Sequence, residues 1–405
     1  MGALLRRFWT PALLSEELPG PDCTPVRVRL MGENFIAFRD TSGRVGLLDA
    51  HCPHRGAELF FGRNEAGGLR CAYHGWKFGV DGACLDMPTE PKDSPLKAEV
   101  CAPAFPVVER AGIVWAYVGP RDRRPPLPEI EYLRVPPDNV FASKCLMRCN
   151  YLQALEGSMD TAHLSFLHRT FEDTSGQPDF LGVGAFMRYS DQDGVPKFFV
   201  KDAEYGLEIT ARRDADQNQY YWRVSQYLFP LGVLVATAPD SICRGNIFVP
   251  IDDHHCWWYR VRWLADRALK DSEIAGFTAD ALDYAELLPG TYTPRGNKEN
   301  DYLIDRDDQR AKSFSGIRSA QLQDIAVQES QTAIADRTRE FLGTSDTAIV
   351  ACRRRLLQGA QALAKGVEPS AAQAAAAYRV VAPAFLLPRD VPVEGAAERL
   401  LSQVA

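Results

Sequence analysis

The chain has 405 residues and is short of histidine, with 7, and modest in cysteine, with 10. That cysteine content lies well below the ~8–10% of a disulfide-built scaffold. Positive charge is also short: 46 Lys and Arg stand against 53 Asp and Glu, a net charge of −7. Without a basic surplus there is no electrostatic footprint for nucleic acid. No stretch reaches the ~18 uninterrupted apolar residues of a membrane span. The start, MGALLRRFWTPALLS, lacks the apolar core of a secretory leader, and Pro11 interrupts it. No Gly-x-Gly-x-x-Gly follows a strand, and no phosphate-loop signature occurs. These absences predict a cytoplasmic protein with reduced cysteines, and neither membrane nor nucleic acid as a partner.

What is present is globular: 46% hydrophobic and 24% charged residues. At ~150 residues per domain the length predicts two or three domains. Residues 24–50 alternate with period two, with Val26, Val28 and Leu30 on one parity and turns at GEN and SGR. That pattern predicts antiparallel strands and a small all-β first domain. Prolines 120, 125, 126, 128, 136 and 137 then predict a semi-rigid linker. Domains are expected over 1–122 and 123–405. The second domain should be α+β, with a helix over 149–170 and about seven strands over 182–263, among them GVGAFMRY, LEITARR, YYWRVSQYLF and CWWYRVRWL. Further helices are expected over 319–342 and 346–365. The tail SAAQAAAAYRV reads as a short helix with an extended end.

Five of the seven histidines fall in two short segments. In the first, Cys52 and His54 are two apart, Cys71 and His74 three apart, and 16 residues separate the pairs. A structural zinc site can use two Cys and two His, but its usual grammar groups like ligands together. Here each pair mixes one thiolate with one imidazole. That interleaving suits a Rieske [2Fe–2S] centre, in which two His replace two Cys on one iron. Gly56 and Gly75 permit tight turns, so that backbone N–H groups approach the cluster sulfurs. Trp76 is placed to cover one side.

The second segment is NYLQALEGSMDTAHLSFLHRTF, with Glu156, Asp160, His163 and His168. Residues five apart on a regular helix leave their side chains about 140° apart. His163 and His168 therefore converge on one metal only if the helix distorts or ends between them. Two His and a carboxylate with open positions form the facial triad of non-haem Fe(II) oxygenases. Asp160 can be the third ligand, but is better placed to hold the Nδ1–H of His163.

CPHRG with CAYHGW, followed by D-x2-H-x4-H, resembles the α subunits of the Rieske ring-hydroxylating oxygenases. The extra loop cysteines of respiratory-chain Rieske proteins are replaced by Ala57 and Tyr73. The stretch FSGIRSAQLQDIAVQESQTAIADRTREFLGTSDTAIV is similar to the phthalate and phenoxybenzoate dioxygenase branch and related aryl O-demethylases. The resemblance implies a helix-grip-like catalytic domain and a third iron ligand at Asp324, with Glu329 and Asp336 as runners-up. It implies that O2 is co-substrate and that NAD(P)H and flavin act only through a separate flavin/ferredoxin-type reductase. It implies a homotrimer in which Asp160 bridges His74 of one subunit and His163 of the next.

In LEITARR, Arg213 shares parity with Leu207, Ile209 and Ala211, so it lies on an apolar face and can clamp a carboxylate. An internal ion pair is the competing reading. Arg223 in YYWRVSQ is a second candidate. The expected reaction is dihydroxylation of a small anionic aromatic acid, phthalate- or phenoxybenzoate-like. Demethylation of a methoxylated acid is the alternative, because both chemistries use the same ligands. A Rieske electron carrier with a ligand-binding module is a third reading, which needs no His163/His168 pair.

Overall fold

The computed structural model describes residues 1–171, 187–277 and 283–393. The chain divides into two compact units, Gly2–Pro125 and Pro126–Ala405. The division falls inside the proline-rich segment, three residues beyond the expected boundary.

The first unit is built from three small antiparallel sheets, one of three strands and two of four. Alternation explains the strands: in Val26–Leu30, Val28 and Leu30 are buried while Arg27 and Arg29 are exposed. Ile36, Phe38, Leu48, Leu59, Leu69 and Phe78 are fully buried in one core, which also takes in Cys52, Cys71 and Trp76. The two Cys–His loops are therefore rooted in packed apolar structure.

The second unit carries an eight-stranded sheet. Its strands in chain order are β1 (Val140–Met147), β2 (Lys197–Ala203), β3 (Gly206–Ala215), β4 (Gln219–Leu228), β5 (Gly232–Val235), β6 (Cys243–Pro250), β7 (Cys256–Trp263) and β8 (Ala384–Pro388). They lie in the order β1-β7-β6-β5-β4-β3-β2, with β8 added to the free half of β4. Three helices complete the frame of the site: α1 (Tyr151–Met159), α2 (Ala320–Ser330) and α3 (Thr347–Ala364). Among the described residues no helix is long and apolar enough to cross a membrane.

Four expectations need correction. The second half of the proline-rich segment is not a free linker: Ile130, Tyr132 and Leu133 are buried, and Trp263 Nε1 donates to Glu131 at 2.7 Å. The helix expected over 149–170 stops at Met159, with Asp160 in extended conformation as its C-cap. The helix expected over 319–342 stops at Ser330, and Thr332 takes a positive φ of 74°. There α1 captures the backbone: Gln153 donates to the Thr332 carbonyl and accepts from the Ala335 N–H, and Asn150 N–H bonds the Ala333 carbonyl. Tertiary hydrogen bonds thus outcompete continued helix. Finally, GVGAFMRY is not a strand where it is described, since Met187–Gln192 is helical and residues 182–186 lie outside the described segments.

Candidate metal centres and substrate cavity

The two loops of the first unit share one hydrogen-bond frame. Cys52 N–H bonds the Ala57 carbonyl at 2.8 Å, and Gly56 N–H bonds the Cys52 carbonyl at 2.9 Å. Cys71 N–H bonds the Trp76 carbonyl at 2.8 Å, and Gly75 N–H bonds the Cys71 carbonyl at 3.0 Å. Each turn closes on a glycine with positive φ, 73° at Gly56 and 75° at Gly75, a conformation that disfavours any Cβ.

The frames bring the four side chains together. The His54 and His74 rings lie 4.5 Å apart, and His54 stacks on Trp76 at 4.2 Å. Both cysteines are buried, whereas the histidines are half-exposed. Burial pushes the Cys52 thiol up to about 11, against the backbone N–H groups of His54 and Arg55, which bond its sulfur, and with a further rise from the adjoining Cys71. Those N–H donors are what a thiolate ligand needs once a metal displaces its proton. The donor set fits a [2Fe–2S] cluster, with sulfur on the buried side and nitrogen toward solvent.

In the second unit α1 ends at Asp160 so that the chain can turn. Its carboxylate accepts the Ala162 N–H at 2.7 Å and the His163 N–H at 3.3 Å, which starts a 3-10 turn over His163–Ser165. The break resolves the angular mismatch between His163 and His168. Their rings now lie 5.1 Å apart, and His163, His168 and Asp324 offer ligand atoms within 4.8 Å of one another. Asp324 Oδ1 is 3.7 Å from His163 Nε2 and 3.5 Å from His168 Nε2.

Both Nδ1 atoms are engaged on the other side. His163 Nδ1 meets Asp160 Oδ2 at 3.3 Å, and His168 Nδ1 meets Gln323 Oε1 at 2.6 Å. Burial disfavours the charged form of Asp160, but the hydrogen bond and charge of His163 outweigh it and hold the carboxyl below its usual range. Burial likewise lowers His163, and Asp160 with Asp324 more than restores it. Two imidazole lone pairs and one carboxylate converging on one point are the donor set of a non-haem Fe(II) site.

The runners-up do not reach this point. Glu329 is buried, accepting from the Arg148 N–H and the Tyr302 hydroxyl, and Asp336 caps the turn at Arg337–Arg339. Glu156 pairs with Arg337 and Arg353 away from the ligand atoms. Gly157 allows close approach of α1 to α2: a Cβ there would meet Gln328 Nε2 at 2.1 Å.

A cavity beside the triad is floored by one face of β4–β7. The ladder register aligns its side chains in rows. Val235, Arg244 and Arg262 form one row, with Ser225 of β4 also lining the cavity, Asn246 and Arg260 the next, and Phe248 and Trp258 the one after. Arg223 lies on the other side of Ser225. Arg244, Arg260 and Arg262 share a single carboxylate, Asp283. Burial favours neutral Asp283, yet Arg260, Arg244 and Arg262 hold it far below the ordinary carboxylate range. Arg262 is the least satisfied: 3.5 Å from Asp283, 2% exposed, with no partner for Nε, and lowered to about 9 by burial and its arginine neighbours.

Arg213 does not line this cavity. Its Nη2 donates to the Thr161 carbonyl at 2.6 Å and its Nε to the Asp193 carbonyl at 3.0 Å, so it braces the turn before His163. Arg223 does line the cavity, with Nη1 on the Tyr221 hydroxyl and Nε unpartnered. Sequence reasoning missed Gln323, Arg244, Arg260, Arg262 and Asp283. A signal existed for part of the set: in CWWYRVRWL the alternate positions Trp258, Arg260 and Arg262 share a face, and two arginines on a core face need a partner.

A Rieske fold over two Cys–His loops, joined to a two-His–one-carboxylate pocket on a large sheet, defines a class: the Rieske non-haem iron oxygenases. The comparisons agree. Residues 8–106 match the Rieske [2Fe-2S] domain, and residues 116–388 match the family described as LigXa C-terminal domain like. The chain is 38% identical to the 3-chlorobenzoate-3,4-dioxygenase oxygenase subunit of Comamonas testosteroni, over 98% of this chain and 94% of that one. It is 37% identical to the phthalate 4,5-dioxygenase oxygenase subunit of Pseudomonas putida, over 90% and 84%. The fold matches dicamba monooxygenase bound to dicamba, with a TM-score of 0.60 at 20% identity, over 88% and 98%. The chain belongs to the phthalate dioxygenase-like branch of the Rieske oxygenases, as the terminal oxygenase component of an aromatic-ring dioxygenase or monooxygenase.

Proposed function

We propose that the chain dihydroxylates a small aromatic carboxylate, taking electrons from a separate flavin/ferredoxin-type reductase and working as a homotrimer. The observation that carries the substrate class is the charge of the cavity. Four arginines line it and Asp283 is shared by three of them, so the sheet face carries an excess of cations. Buried charge without a partner is costly, and an anionic ligand supplies the missing partner. Phe248 and Trp258 in the adjoining row give the ring an apolar wall.

In this reading Cys52, His54, Cys71 and His74 hold the cluster, and His163, His168 and Asp324 hold iron. The bound cluster supplies single electrons, and the iron supplies O2 activation beside the substrate. The residues do the rest. Asp160 holds His163 by its Nδ1–H, and across a trimer it connects that imidazole to His74 of the next subunit. The arginine rows fix the carboxylate end and thereby choose the ring edge presented to the metal.

The test is substrate-dependent O2 and NADH consumption with a surrogate reductase, over a panel of aromatic acids and their neutral amides. A product heavier by two oxygens and two hydrogens is expected for acids and not for amides. Loss of CH2 from methoxylated acids would move the reading to demethylation. Equal turnover of amides and acids would remove the anionic substrate class.

A further inference from the structure

The two histidines at the proposed iron site are oriented by different chemistry, and the difference assigns a role to Gln323. Asp160 can only accept a hydrogen bond, so its contact with His163 Nδ1 places the proton there without help. A glutamine carries both an acceptor and a donor at the same reach. Facing His168 Nδ1 with its oxygen, it fixes the proton on Nδ1. Facing it with its NH2, it would force the proton onto Nε2, the atom aimed at Asp324, and block that lone pair.

The fold removes the ambiguity. Gln323 Nε2 donates to the Ile317 carbonyl at 2.6 Å, while Oε1 lies 2.6 Å from His168 Nδ1. Reversing the amide would set carbonyl oxygen against carbonyl oxygen at that distance. Ile317 is itself fixed: Gly316 turns there at φ 68°, where a Cβ would meet the Asp305 carbonyl at 2.4 Å. The same segment is bonded to the chain after His168, with Phe314 N–H on the Arg169 carbonyl at 2.9 Å and Phe171 N–H on the Lys312 carbonyl at 2.7 Å. Gln323 is 6% exposed, His168 8% and Ile317 7%, so water has little access to compete.

We infer that Gln323 is a positioning residue of the mononuclear metal site: anchored on the Ile317 carbonyl, it holds His168 in the Nδ1–H tautomer with Nε2 free for the metal. This goes beyond the proposed substrate and reaction, and stands whatever acid is oxidised.

The test uses full-length protein with the cluster retained and the mononuclear metal removed by chelation. Nitrogen-15 NMR of labelled histidine, assigned with His168→Gln, should show His168 protonated at Nδ1 in the metal-free protein. Co(II) titration should show Gln323→Met binding about 10–100-fold more weakly, with the Rieske visible spectrum unchanged. Gln323→Glu keeps an acceptor toward Nδ1 but sets its second oxygen against the Ile317 carbonyl, so it should recover only part of that affinity. An Nε2-protonated His168 in the unsubstituted protein would overturn the inference without any variant. So would wild-type Co(II) affinity in Gln323→Met.

Discussion

The two proposed metal sites of this chain are built on opposite principles. In the first unit each loop carries its own Cys and His within four residues, and each is closed by hydrogen bonds within six residues. In the second unit His163 has a near partner in Asp160, but both histidines also meet the distant Asp324, and His168 and Gln323 are 155 positions apart. The first site is assembled by local turns and then anchored by its core. The second exists only when α1, α2 and the 312–318 segment pack. Local construction confers autonomy, and distributed construction makes the site sensitive to packing around it.

Paired ligand substitutions break the comparison most sharply. Cys71→Ser should abolish the Rieske spectrum while the mononuclear site still takes up one metal, and His163→Ala should do the reverse. Both should abolish turnover, with metal analysis and visible spectroscopy as the readouts. Loss of both metals in either variant would show that the sites are not independent.

Asp283 tests the distributed side next. Asp283→Asn leaves three buried arginines without their carboxylate, which should cost about 3–5 kcal/mol in chemical denaturation. The folded carboxyl is depressed, so its contribution is fully present above the unfolded value of ~3.9 and is lost as pH falls through the folded value. The stability difference between the two proteins should therefore be flat above about pH 4 and shrink only in stronger acid.

Asp160→Ala should leave cluster and iron in place and lower turnover about 100-fold or more, because it removes the group that holds His163 and the proposed link to the neighbouring subunit. Near wild-type rates with full metal content would exclude the link. The smallest effect is expected of Arg262→Met. KM for an aromatic acid should rise about 30-fold, for ~2 kcal/mol of lost charge-assisted binding. Unfolding temperature should not fall, because burial and its neighbours already work against this cation.

The fold class was legible because its signals are local. Period-two runs gave strands. Both over-long helix expectations fail at a side chain that recaptures the backbone: Asp160 caps the turn at Ala162, and Gln153 of α1 holds Thr332 just past Gln331. Arg213 is buried as its parity predicts, and of the two readings open for it the internal one fits: its donors go to backbone carbonyls rather than into the cavity. Parity gives the face of a strand, but not which part of that face borders the cavity.

The sequence by itself determined the two Cys–His turns proposed to hold the cluster, because Cys-x-His and Cys-x2-His with their glycines need only a tight turn and a core beneath it. It also determined that two imidazoles and a nearby aspartate stand on one short segment. Only the tertiary structure brought Asp324 and Gln323 to those imidazoles and set three arginines on Asp283, which lies 39 positions from Arg244. Hydrogen bonds between neighbours along the chain follow from local conformation. Convergence of charges from two strands and a distant loop follows only from the register and packing of the whole sheet.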